Sequence, residues 1–145
     1  MEVRDLEVLA WRLFEESNDA VFVVNSATAT IEQANPTAQR LTGLRWRQLD
    51  GRRLDELVNS EKPCDIDRLL FAVSQTGFFH SQEDYLLFRH QEEPLPINLS
   101  VSRIHAASGQ LAMVVARDIS DRKRAERALR DFNTELERQV HQQTQ

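Results

Sequence analysis

The chain has 145 residues, of which 41% are hydrophobic and 28% are charged, with only four glycines and four prolines. This length and balance predict one globular domain and argue against a long disordered segment. A net charge of -5 argues against a nucleic-acid partner, because phosphate backbones reward positively charged surfaces.

The sequence contains no recognisable targeting segment. The start, Met1 to Asp5, does not show the basic segment followed by an apolar block with which a signal peptide begins. The longest apolar runs, such as Leu111 to Ala116, fall far short of the roughly 20 residues that a membrane span requires. A single cysteine, Cys64, cannot form an intramolecular disulfide, which fits a reducing compartment. We therefore expect a cytoplasmic domain with no direct membrane insertion.

The first third of the chain predicts a helix, two strands and a second helix. Apolar residues at helical spacing predict an amphipathic helix over residues 2–17. Residues 20–25 are rich in β-branched side chains and predict a strand, and residues 30–34 predict another. Asn35-Pro36 can cap and begin a helix, which Gly43 then ends.

The middle of the chain predicts helical connectors and one longer helix. Residues 45–50 and 54–58 read as short helical turns around Gly51. Residues 65–75 return to helical spacing and stop at Gly77.

The apolar period changes to two in the last third. Residues 78–89 and 95–104 predict a hairpin, since apolar and polar residues alternate from Leu95 onward. Residues 111–118 predict a final strand that is apolar on both faces. The whole order predicts an α+β fold with a five-stranded antiparallel sheet, helices across one face, and the first helix available to cover the other.

Short motifs along the chain resemble those of PAS sensory domains, in order and at fitting spacing. They are Ala20 to Asn25, Gln33 to Ala38, Leu41-Thr42-Gly43, Leu49 to Arg52 and, most specifically, Asp118 to Lys123. Two turns depart from the family pattern: the first hairpin lacks Asp-Gly, and Glu92-Glu93-Pro94 replaces Asp-Gly-Ser. The resemblance implies a flanking helix over 1–17, a PAS core over 18–119 and a signalling helix over 120–145.

The end of the chain is the part that the resemblance connects with signalling. In PAS proteins, a motif like Asp118, Ile119 and Ser120 carries the signal from the last strand to the next helix. In that helix, Ala125, Leu129, Phe132 and Leu136 follow steps of four, three and four. This spacing predicts the seam of a two-stranded parallel coiled coil. We expect a homodimer through the N- and C-terminal helices, with an output domain downstream in the same chain.

No cofactor is expected from the residues that PAS domains use to hold one. The flavin motif around a reactive cysteine is absent, and residues 65–76 contain no His for haem. Cys64 lies near the chromophore attachment point of the photoactive yellow protein family, but Ala34 and Ala38 replace the Tyr and Glu that hold the chromophore there. The histidines have no metal-ligand spacing. The sequence does not decide whether the domain binds a small ligand of another kind.

One apolar set has two possible roles. It either lines a small ligand pocket or fills the core. Its members are Val23, Leu41, Phe71, Ile97, Leu99 and Val114.

The chain lacks a phosphate-binding loop, a nucleophile with its base, and paired catalytic carboxylates, so we expect it to be non-catalytic. The resemblance implies a regulatory sensor domain of a bacterial two-component histidine kinase. The alternatives are a ligand-free dimerisation or protein-interaction module, the sensor domain of a diguanylate cyclase, and a redox or gas sensor with a non-covalent cofactor.

Overall fold

The computed structural model describes residues 2–60, 66–81, 85–106 and 109–143, with side chains through Val140. The helices are α1 (Val3–Glu16), α2 (Pro36–Thr42), α3 (Trp46–Leu49), α4 (Ile66–Thr76) and α5 (Ser120–Gln143), with a 3-10 turn at Leu54–Glu56. The strands are β1 (Ala20–Asn25), β2 (Ile31–Ala34), β3 (Val58–Ser60), β4 (Phe78–His80), β5 (Tyr85–Leu87), β6 (Leu95–Ala106) and β7 (Gly109–Asp118).

All the strands belong to one antiparallel sheet. Its order is β2-β1-β7-β6-β5-β3, and β4 also pairs with β6. The long β6–β7 hairpin occupies the centre, with a register that runs from Ile97 opposite Asp118 to Ala106 opposite Gly109. The α+β class is confirmed, whereas the sheet has seven strands instead of the five predicted.

The two additional strands lie at two places where the structure differs from the prediction. β3 shares only Val58 with the helical turn predicted over 54–58, which is present as the 3-10 turn at Leu54–Glu56. The strand itself was not predicted, because its three residues carry no periodic signal and only their pairing with β5 defines it. The predicted strand over 78–89 is divided into β4 and β5, which pair with different parts of β6. Ser81, directly after β4, donates its backbone N–H to Leu99 O and accepts the Leu99 N–H on Oγ, at 2.8 and 3.0 Å.

The hydrophobic core lies between one face of the sheet and helices α2 to α4. Alternation in β1, β6 and β7 brings Phe22, Val101 and Val114 to this inner face, where all three are fully buried. Leu49 of α3 and Leu70 of α4 cover them from the helical side, with exposures of 0% and 1%. The core therefore has the sheet-and-helix layers that the sequence predicted.

Helix α1 covers much less of the outer sheet face than predicted. None of its residues is buried, and its Trp11 and Phe14 rings, 5.7 Å apart, lie along a groove that Val23 and Gln33 also line. On the outer face of β7, Met113 and Val115 remain half-buried. The apolar stripe of α1 is thus largely left to solvent.

Candidate signal-transfer site

The junction between β7 and α5 is fixed by hydrogen bonds on both of its sides. Ile119, 5% exposed, donates its backbone N–H to Pro96 O of β6 at 3.1 Å. The Asp118 carboxylate accepts the Ser120 N–H at 2.8 Å, which satisfies one of the free donors in the first turn of α5. Lys123 N–H then bonds to Ile119 O at 2.9 Å. Strand and helix therefore meet at a buried, anchored residue rather than through a loose loop.

Helix α5 leaves this junction as a long exposed helix. Its 24 residues span about 36 Å at the usual rise of about 1.5 Å per residue. The predicted seam residues Leu129, Phe132 and Leu136 are 63%, 61% and 44% exposed, and Ala125 is also exposed. A continuous apolar stripe of this kind is unusual on a solvated helix.

Ion pairs occupy the charged positions of α5. Glu126 pairs with Arg122 at 3.5 Å and with Lys123 at 3.8 Å. Arg138 pairs with Glu135 at 3.2 Å, and Arg124 pairs with Asp121. The basic residues at the start of α5, Arg122, Lys123 and Arg124, therefore form a helix face with internal ion pairs at steps of three and four.

The side chain of Asn35 connects α1, β1 and α2 through hydrogen bonds. Its side chain is fully buried, and Oδ1 accepts the Val21 and Ala38 N–H groups at 3.0 and 2.9 Å. Its Nδ2 donates to Phe14 O at 3.0 Å and to Asp19 O at 2.9 Å. The sequence indicated only the cap of α2. The bonds to α1 and β1 depend on distant parts of the chain and carry no local signal.

The predicted pocket residues do not form one group. Ile97, Leu99 and Val114 lie together in the core at 0% exposure, and Leu41 packs against that core. Val23, however, points to the outer sheet face and lines the α1 groove. Phe71 is 67% exposed on α4. The shared lining predicted for all six residues is therefore wrong for Val23 and Phe71.

Phe71 instead borders an open cleft of about 760 Å³ between α4 and the turns beside β1 and β7. Arg53, at its edge, contacts the carboxylates of Asp55 at 3.2 Å and Asp67 at 3.0 Å, and its Nη1 donates to Thr28 O at 3.0 Å. The two carboxylates raise the pKa of the Arg53 guanidinium above its ordinary value, through hydrogen bonds and charge attraction. Arg53 thus joins the β1–β2 turn to the first turn of α4.

The residues that the structure describes form neither a metal-binding cluster nor a helix that could cross a membrane. Within those residues, no three His, Cys, Asp or Glu side chains are grouped as a metal ion would require. None of the described helices combines the length and the apolar character that a membrane crossing needs. Cys64 lies outside the described residues.

Comparison with known proteins agrees with this architecture. A family model for the PAS fold matches residues 14–124. The PAS domain of an HTR-like protein from Haloarcula marismortui aligns with a TM-score of 0.66 and 18% identity, covering 81% of this chain and all (100%) of that one. The PAS domain of nitrogen regulation protein NR(II) from Vibrio parahaemolyticus gives 0.62 and 22%, with 77% and 98% covered.

A third similar structure is a domain of a sensory box sensor histidine kinase/response regulator from Geobacter sulfurreducens. It aligns with a TM-score of 0.64 and 19% identity, covering 81% of this chain and 98% of that one. At these sequence identities the structural matches show only that the fold is shared. The family match, together with the central hairpin and the helix-covered core, shows that the chain belongs to the PAS-fold family.

Proposed function

We propose that this PAS domain is a regulatory sensor domain that passes a signal from its sheet to an output module through α5. The observation that carries the proposal is the junction at Asp118, Ile119 and Ser120, where the central strand continues into a 24-residue helix with an exposed apolar seam. A buried, hydrogen-bonded junction can transmit a displacement that a flexible linker would absorb.

The proposed active form is a homodimer through the terminal helices. Leu129, Phe132 and Leu136 of α5 would pack against the same residues of a second copy in a parallel coiled coil. The apolar residues of α1 are exposed as well, so this helix offers a second contact between copies. Burial of both stripes removes apolar surface from water, which favours association.

The signal would act as a choice between two packings of the α5 pair. Ile119 is bonded to β6 through Pro96 O and lies at the end of β7, so a shift within this hairpin moves the base of α5. A small displacement can change the rotation of a coiled coil when two arrangements have similar free energies. The domain itself is proposed to be non-catalytic.

The proposed output module is a histidine kinase of a two-component system. Support comes from the sequence at the end of α5, which resembles a kinase linker, and from a structural neighbour whose name is that of a sensor histidine kinase. Transfer of that role to this chain is an inference from resemblance, and a diguanylate cyclase sensor remains the alternative output.

A ligand-free dimerisation module is the second candidate. It is favoured by the inner sheet face, where Ile97, Leu99 and Val114 are fully buried against protein atoms. An absorbance spectrum of the purified chain, with mass spectrometry of anything released on denaturation, separates the two candidates. A released small molecule would support ligand sensing. A clean spectrum together with no thermal stabilisation by a metabolite panel would support the module without ligand.

The α5 seam provides the direct test of the proposed relay. We expect Leu129→Asp with Phe132→Asp to convert the dimer to a monomer, because the two charges would have to be buried at the seam. Sedimentation equilibrium measures the change. The far-ultraviolet circular dichroism of the core should remain, since both side chains are exposed in the monomer.

Thr134→Asp is the matched control for Leu129→Asp. It adds the same charge to the same exposed helix, five residues further along and away from the seam spacing. We expect Thr134→Asp to leave the dimer intact. A monomeric wild type at high concentration, or a dimer that tolerates both seam substitutions, would contradict the relay.

A further inference from the structure

The open cleft beside α4 has the size of a small-molecule site and lies apart from the packed inner sheet face. Its volume of about 760 Å³ falls within the roughly 300–1,000 Å³ that ligand pockets usually occupy. Side chains of α4 form one wall, and the β1–β2 turn and the start of β7 form the other. Its described lining includes none of the fully buried residues Ile97, Leu99 and Val114. A ligand in this cleft would therefore not require the core to open.

Helix α4 presents a carboxylate, an aromatic ring and a hydroxyl to the cleft. Asp67, Phe71 and Ser74 follow at steps of four and three, so they are neighbours on one face of the helix. The Asp67 side chain is 62% exposed and Phe71 is 67% exposed. A carboxylate beside an open aromatic ring is suited to an organic ammonium group, which pairs with the carboxylate and is attracted to the ring face.

Arg53, at the edge of the cleft, does not make it a site for anions. Its Nε and Nη2 bind the Asp55 carboxylate at 3.3 and 3.2 Å, and Nη2 also binds Asp67 at 3.0 Å. Its Nη1 donates to Thr28 O at 3.0 Å, so most of the guanidinium donors are already used. Two carboxylates against one guanidinium leave a negative charge in excess. The Asp67 oxygens also keep room for a further donor, because a carboxylate can accept about four hydrogen bonds.

We propose that this cleft binds a small organic cation with an apolar body, of the class of the aromatic amines. The ammonium group lies against the Asp67 carboxylate, and the apolar body packs on the ring of Phe71. Ser26 and Gln110 on the opposite wall offer further polar atoms to the ammonium group. The complex removes from water an aromatic ring that the free domain leaves exposed, which favours binding.

This site gives the proposed sensor function a class of stimulus, and its role in signalling rests on that function. Gly109 and Gln110 of the cleft begin β7, and Asp118 at the other end of β7 belongs to the junction with α5. Ser26 N–H donates to Gln110 O at 3.2 Å, so the turn in the cleft wall is bonded to the same strand. A ligand that displaces this wall would act on the strand that continues into α5. Binding itself requires neither the dimer nor α5.

Three probes of similar shape separate the effect of charge from that of apolar contact. Phenethylamine, phenethyl alcohol and phenylacetate share one ring and carry a positive, a neutral and a negative group at neutral pH. Amide NMR shifts of the isotope-labelled 145-residue chain measure each affinity and locate each probe. We expect phenethylamine to shift the signals of Phe71, Ser74 and Gln110, and to bind about tenfold more tightly than the alcohol. Equal affinities for the three probes, or shifts confined to other residues, would overturn the proposal.

Phe71→Ala tests the aromatic contact. It should weaken phenethylamine binding about fivefold, because the packing on the ring and the attraction of the cation to it are both lost. Phe78→Ala is the matched control, since Phe78 is 58% exposed on β4 and is not part of the described lining. Its affinity should stay within about twofold of wild type. An unchanged affinity in Phe71→Ala would contradict the site.

Asp67→Asn tests the charged contact. It should weaken phenethylamine binding about tenfold at low salt and less at high salt, because screening already reduces the attraction there. Glu93→Gln removes the same charge from an exposed residue before β6, at the opposite end of the β6–β7 hairpin from Gly109. This control should bind within about twofold of wild type. Equal losses in the two variants would mean a general attraction to an acidic protein and would overturn the site.

The outcome for the cleft can be separated from that for the relay. The same titration on the chain with Leu129→Asp and Phe132→Asp measures binding without the α5 seam, and we expect the wild-type affinity. Loss of binding in that variant would place the probe at the contact between copies and overturn the cleft site. If phenethylamine does not bind wild type while the seam variant dissociates the dimer, the cleft site is wrong and the relay stands.

Discussion

Asn35 uses the full hydrogen-bonding capacity of its side chain. The amide accepts two backbone N–H groups and donates to two carbonyls, all at 2.9 to 3.0 Å, and has no access to water. Its own N–H bonds to Val21 O at 3.0 Å. No side chain other than a primary amide of this length supplies the same two donors and paired acceptor.

Substitution of Asn35 by Ala should lower the free energy of unfolding by about 3 kcal/mol. The change removes the α2 cap, worth about 1 kcal/mol, and leaves buried N–H groups unpaired, which costs a further 1–3 kcal/mol or so. Urea denaturation followed by circular dichroism measures the difference.

Asn59→Ala is the control for that substitution. Asn59 is exposed on β3, so its replacement should change stability by less than about 0.5 kcal/mol. Equal losses from the two variants would show that the bonds of Asn35 contribute nothing particular.

The same residue-level view explains why the pocket prediction was wrong at two positions. Val21 to Val24 are all apolar, so no polar alternation in the sequence indicates which face of β1 carries Val23. Phe71 follows Leu70, and one helical step rotates it by about 100° from the buried face. Because Ile66, Leu70 and Val73 are the residues of α4 that face the core, the Phe71 side chain faces solvent.

At the scale of an element, the glycines that follow α2 and α3 have similar backbone angles but different surroundings. Gly43 ends α2 with a φ of +72°, and a Cβ there would approach His90 Cβ to 3.2 Å. Gly51 has a φ of +79°, and a Cβ there would meet nothing within 4 Å. Both positions strain an L side chain, but only Gly43 also faces a close neighbour.

We therefore expect Gly51→Ala to reduce the free energy of unfolding by about 1–2 kcal/mol, the usual cost of the left-handed region. Gly43→Ala should reduce it further, because His90 must move. Parallel urea titrations of the two variants give the comparison. If the two losses are equal, then the segment around His90 yields freely and contributes nothing to the end of α2.

Among the elements, local signals predicted helix boundaries better than strands. Asn35 and Pro36 begin α2 and Gly43 ends it as the sequence indicated, since capping depends on a few neighbouring residues. β3 was missed because its three residues contain no period, and only its pairing with β5 makes it a strand. The coiled coil of α5 stays a prediction, since it depends on a second chain.

At the scale of the whole molecule, α5 projects from the core instead of completing it. Ile119 is buried, whereas the residues of α5 after Ser120 are exposed apart from the half-buried Lys123, as far as Val140. Among the described residues, Ile119 is the last buried one, and we expect the stable core to end there.

A chain that ends at Ile119 should accordingly unfold within about 3 °C of the full chain carrying Leu129→Asp with Phe132→Asp, because little buried surface is removed. Both proteins should be monomers, which removes the effect of association on the melting temperature. Differential scanning calorimetry checks this. A fall of about 10 °C or more would mean that α5 belongs to the core.

The bonds around Asp19 also connect the two ends of the domain. Asp19 O receives the Asn35 amide, which also holds the last turn of α1, while the Asp19 carboxylate pairs with Arg117 of β7 at 3.5 Å. Arg117 is three residues before α5 begins. Helices α1 and α5, about 100 residues apart in sequence, are thus connected through Asn35, Asp19 and Arg117. A displacement of either helix would act on this same small group of contacts.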